Sequence, residues 1–90
     1  MEVAVPDQTF WNDPVAREAL MVGGRTVLGR IRATLEVEDG VVAIEPQSGK
    51  HFWGETLGKA NCLAYEAFPD QWLYFCRLDD PSAEIALPTW

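Results

Sequence analysis

His51 is the single histidine of the chain, and Glu55 follows it by four residues. A histidine with a carboxylate in reach, whether Glu55 or an Asp70 brought across the fold, is a pairing that general base chemistry uses. No nucleophile, oxyanion loop or second carboxylate stands beside it, so a solvent-facing strand histidine accounts for His51 more simply. Ser48-Gly49-Lys50 has the flavour of a phosphate loop but lacks the G-x-x-x-x-G-K-[ST] frame, and turn chemistry explains it better. His51, Cys62 and Cys76 would need a fourth ligand to hold zinc. Asp79, Asp80 and Glu84 lack the alternating oxygen ligands of a calcium loop and read as a solvated acidic tail. No catalytic, cofactor-binding or metal-ligating set emerges, and no cofactor is expected.

The aromatic residues carry more information. Four Trp, four Phe and two Tyr are many for 90 residues, and a chain of this size buries only roughly 60–65% of its unfolded surface. Part of that aromatic and apolar surface is therefore expected in an interface. The candidates are Phe10, Trp11, Trp53, Trp72, Ile85, Leu87 and Trp90, with Arg30, Arg32 and His51 as polar contacts.

Charge narrows the partners. Seven Lys and Arg against fourteen Asp and Glu give a net charge of −7, which repels phosphate backbones and anionic bilayers. Nucleic acid and membrane are thus not expected as partners, and no metal is expected. No run of ~18 apolar residues and no basic n-region occur, so a cytoplasmic location is the expectation. The two cysteines lack disulfide-framework spacing and read as reduced core thiols.

The elements that must position these residues can be followed along the chain. Residues 1–12 read as an N-terminal arm, 13–78 as the folded core and 79–90 as a docked C-terminal tail, all in one domain. Asp13-Pro14 is a helix start, and Gly23-Gly24 is expected to end that helix. From Arg25 to Glu38 the odd positions are apolar or small, the period of a half-buried strand; Val27, Leu28, Ile31 and Leu35 also fit a helical stripe, an alternative weakened by Gly29. Glu38-Asp39-Gly40 reads as a hairpin turn and Val41 to Glu45 as the next strand. Pro46 to Gly49 then turns the chain into Lys50 to Trp53. Thr56 caps a helix from Leu57 to about Phe68 whose small alanines allow close approach to a sheet. The apolar run Gln71 to Leu78 belongs in the middle of the sheet. The expected fold is α+β: N-terminal helix, three-stranded antiparallel meander, helix, and a final strand beside the first, with helix on one face.

The run from Val42 through Glu45-Pro46-Gln47-Ser48-Gly49 to Phe52, Gly54, Thr56 and Leu57 resembles a family of small uncharacterised bacterial domains with the pattern E-P-x-S-G-x-x-F-x-G-x-T-L. An Ala-rich helix, Pro69-Asp70 and an aromatic strand ending in Arg continue the likeness. It covers about half the chain and implies a fold but no reaction. More remotely, the approach to Gly54, Thr56 and Leu57 is similar to HicB-like antitoxins, whose partial RNase H-like domain has three strands, a helix and a fourth strand and holds a small toxin. Three functions are consistent with these readings. They are an acidic protein–protein interaction module acting as a dimer or in a hetero-complex, an antitoxin-like neutraliser of a small basic toxin, and a ligand binder or enzyme with a pocket around His51, Trp53 and Trp72.

Overall fold

Asp13 and Pro14 start the first helix as their chemistry requires. In the computed structural model, which describes residues 13–80 and 82–89, the Asp13 carboxylate accepts hydrogen bonds from the amides of Val15 and Ala16 at 3.0 and 3.1 Å, and Pro14 occupies the first turn, where no amide is needed. Helix α1 runs Pro14–Ile31 and tightens into a 3-10 turn over Arg32–Thr34. The strands are β1 (Val41–Glu45), β2 (Lys50–Gly54), β3 (Trp72–Arg77) and β4 (Glu84–Pro88), and helix α2 (Leu57–Ala67) lies between β2 and β3. The fold is α+β: a helix, a four-stranded antiparallel sheet in the order β2-β1-β3-β4, and a second helix.

The expected strand from Arg25 to Glu38 is absent, and the three-stranded meander goes with it. Helix α1 passes straight through Gly23-Gly24, because these glycines serve contact. A Cβ on Gly24 would stand 2.1 Å from Cγ of Tyr74, and one on Gly23 2.9 Å from Cβ of Pro46. The pair forms a notch that lets α1 lie directly on the sheet. The helical stripe then prevails over the period of two: Val27 and Leu28 are buried with Val42, Ile44, Tyr74 and Cys76, while Ile31 and Leu35 pack at the margin. Tertiary burial decides between two periods that the local pattern leaves close.

Two further expectations change as a result. The second face of the sheet is covered by α1, so helices flank both faces. On the other face α2 packs on β1 and β2, where Ala60 and Ala64 meet Val41, Ala43, Leu73 and Phe75. The aromatic strand β3 is central, as expected, but it pairs with β1 and β4, Val42 facing Cys76 and Tyr74 facing Ala86. Residues Glu84–Pro88 supply β4, giving two strands, a helix and two strands rather than three, a helix and one. Glu38-Asp39-Gly40 is a bend leading into β1 instead of a hairpin; Gly40 does take a positive φ of 88°.

Residues of the run from Glu45 to Thr56 have geometric duties. Glu45 is buried, and its carboxylate accepts from the amides of Gln47 and Ser48 at 3.2 and 2.7 Å, so it organises the β1–β2 turn from within. Gly54 has no room for a side chain, since a Cβ would lie 2.4 Å from the amide nitrogen of Ala60. Thr56 caps α2 by accepting from the Lys59 amide. The residues that close β4 are stitched in as well: buried Thr89 donates to the Phe68 carbonyl at 2.6 Å and accepts from the Gln71 amide at 3.1 Å, and Asn61 donates to the Pro88 carbonyl at 3.1 Å.

Candidate functional site

Helix α2 lies over β1 and β2, and beside its N-terminal end the sheet beneath β3 and β4 stays open. A cleft of about 570 Å³ occupies this place. Strand alternation supplies its floor, because Val41, Phe75 and Ile85 all point to the α2 side. Leu57, the first residue of α2, forms one lip and Ile85 of β4 the other. Both are large, apolar and exposed, at 38% and 44%. The rim is polar. Arg77 is held by two hydrogen bonds to Asp79, at 3.1 and 2.8 Å, and Glu55 sits 3.8 Å from Lys59. The cleft therefore combines an apolar floor with a polar rim.

The strand bordering this cleft is fastened to α1 by a polar cluster. Arg25 donates to both carboxylate oxygens of Glu84, the shortest bond being 2.8 Å, and the Tyr74 hydroxyl donates to Glu84 at 2.7 Å. The Arg25 guanidinium holds the Glu84 carboxyl below the usual carboxylate range, with the Tyr74 hydroxyl adding to the effect and burial opposing it. Burial, reinforced by the hydrogen bond to Glu84, pushes the Tyr74 hydroxyl well up. Arg25 and Glu84 are 59 residues apart, and neither stands in a motif, so only their position in the fold reveals the pair.

The residues singled out from sequence are dispersed. Ile85 borders the cleft, and Leu87 is half-buried on the same face against Leu73. Trp53 is half-buried under α1, its indole N–H donating to the Asp39 carbonyl at 2.8 Å. Trp72 lies half-buried on the α1 side of β3. Phe10, Trp11 and Trp90 lie outside the described residues, as does the arm of residues 1–12. His51 is exposed on edge strand β2, on the face opposite the cleft. Arg30 and Arg32, expected on the outward face of a strand, stand at the end of α1 and in the 3-10 turn, where Arg32 donates to the Leu78 carbonyl at 2.8 Å. Of the two cysteines expected in the core, Cys76 is buried and its thiol is pushed up by burial. Cys62 is exposed, because the buried stripe of α2 runs through Ala60, Asn61 and Ala64 and leaves it outside.

The acidic residues of the tail go to separate neighbours: Asp79 to Arg77, Asp80 to the Ser82 hydroxyl and Glu84 to Arg25. Among the described residues no helix is long and apolar enough to cross a membrane. Comparison with protein families, with characterised proteins and with solved structures finds no match for the chain.

Proposed function

We propose that this chain is an acidic protein–protein interaction module, and that its binding surface is the cleft between the N-terminal end of α2 and strands β3 and β4. The observation that carries the reading is the pair of exposed apolar lips, Leu57 and Ile85, over an apolar floor. Large apolar side chains held in the open around a concavity support this reading, because a partner seated there would cover them and the floor together. The net charge of −7 speeds encounter with a positively charged partner and slows encounter with another copy of the chain. Neutralisation of a small basic toxin is one form this activity would take.

The test is affinity capture from the native host, followed by titration of the purified binding protein with full-length chain, wild type and Leu57→Asp/Ile85→Asp. Retention by the wild type and by His51→Ala, with binding weakened at least tenfold in the double variant, supports the cleft. Equal binding by the double variant removes it, and loss with His51→Ala alone moves the site to β2.

A further inference from the structure

We infer that the outer edge of β4 takes an extended segment of a basic partner protein as a fifth strand. This rests on the interaction reading above and specifies how the partner is held. The amide of Arg77 donates to the Ala83 carbonyl at 3.1 Å and that of Thr89 to the Gln71 carbonyl at 2.9 Å. In an antiparallel ladder such pairs alternate with unbonded ones, so Ile85 and Leu87 turn their backbone groups toward β3, while Glu84 and Ala86 turn theirs outward. Pro88 closes the edge, having no N–H to offer. Among the described residues no strand pairs with this side of β4.

A strand added there sends alternate side chains to opposite faces, and concave surface awaits them on both. On the α2 side lies the apolar cleft already described. On the α1 side, a second cleft of about 340 Å³ separates β4 from Pro14, Arg17, Glu18 and Met21. Glu84 and Ile85 border both clefts, as the residues of an edge between two binding faces should.

Charge selects the occupant. A second copy would set two bodies of charge −7 against each other. A segment alternating apolar residues with Lys or Arg avoids that repulsion and is attracted instead. Its apolar side chains fill the α2-side cleft, and its cations meet the acidic field of the whole chain, Arg17 and Glu18 offsetting each other within the α1-side cleft.

The test uses the full chain and two labelled heptapeptides, Lys-Val-Lys-Leu-Lys-Val-Lys and the same sequence with Glu for Lys. The Lys peptide should bind at least tenfold more tightly than the Glu peptide by fluorescence anisotropy. It should slow hydrogen exchange at the Glu84 and Ala86 amides at least tenfold, leaving β2 unchanged. Ala86→Pro removes one outward N–H without touching the bonds to β3 and should weaken the Lys peptide at least tenfold; the exchange measurement on wild type needs no variant. Equal binding of the two peptides, protection at Lys50–Gly54 instead, or protection of Glu84 and Ala86 by self-association without peptide would each overturn the inference. If Leu57→Asp/Ile85→Asp abolishes capture of the native partner while Ala86→Pro does not, the interaction reading stands and the fifth strand falls. If neither variant affects capture, both fall.

Discussion

Replacing Gly24 and Gly29 separately by Ala tests the central packing contact of the fold. Both lie inside α1, so each alanine gains about 1 kcal/mol from helix propensity. They differ in what a Cβ meets: at Gly29 nothing lies within 4 Å, whereas at Gly24 the Tyr74 ring carbon Cγ is 2.1 Å away. Carbon atoms in contact prefer about 3.5–4.0 Å, so α1 and β3 must part by more than about 1 Å or Tyr74 must move. Tyr74 is 1% exposed and its hydroxyl is bound to Glu84. Overpacking of this kind costs about 1–3 kcal/mol, and a weakened hydrogen bond adds about 1 kcal/mol. Net of the propensity gain, Gly24→Ala should destabilise by about 1–3 kcal/mol and Gly29→Ala should stabilise by about 1 kcal/mol. Urea unfolding followed by far-UV circular dichroism, with a slope of about 1 kcal/mol/M, should separate the two midpoints by about 2–4 M. Coincident midpoints, or a Gly29→Ala variant weaker than wild type, would refute an unbroken α1 seated on Tyr74.

Three further outcomes are expected. Glu84→Gln should lower stability at neutral pH. Because the folded carboxyl titrates below its unfolded value of about 4.3, the gap from wild type should hold above that value and close as pH falls through the folded pKa; urea titrations at pH 7 and pH 2.5 showing the same gap would contradict the Arg25–Glu84 bond. A thiol reagent should modify Cys62 rapidly in the folded protein and Cys76 only as the protein unfolds, and Cys62→Ser should abolish the fast phase. Thr89→Val removes a donor to Phe68 and an acceptor for Gln71, at a cost of about 1–3 kcal/mol, so a thermal scan should show the midpoint falling about 4–8 °C for each kcal/mol.

Where the rules of local chemistry settle the matter, the sequence reading and the structure agree. The turn at Pro46 to Gly49, the Thr56 cap, α2 and the central placement of β3 follow from residues within a few positions of one another. The run from Arg25 to Glu38 satisfies two periods together, and the contact that decides between them, Gly24 on Tyr74, spans fifty positions. The same limit hides β4: Glu84 to Pro88 is short, begins with a carboxylate and ends in a proline, and becomes a strand because β3 has a bare edge beside it. The cleft combines the start of α2 with that unanticipated strand, so of its two lips only Ile85 stood out, as an apolar residue in search of cover.

The fastening of β4 has a consequence for how the protein comes to be folded. The hairpin β1–β2, helix α2 and β3 are neighbours along the chain and can assemble as they are made, but β4, the second partner of β3, is made only after them. Until residues 84–89 have left the ribosome, the run Trp-Leu-Tyr-Phe-Cys-Arg of β3 has an open edge, Arg25 lacks its carboxylate and the Phe68 carbonyl lacks the Thr89 hydroxyl. An apolar strand with an open edge is the part of a nascent chain most prone to pair with the wrong neighbour. Addition of β4 is therefore the step that covers this apolar strand, and a truncation before residue 84 should yield insoluble product rather than a slightly smaller domain.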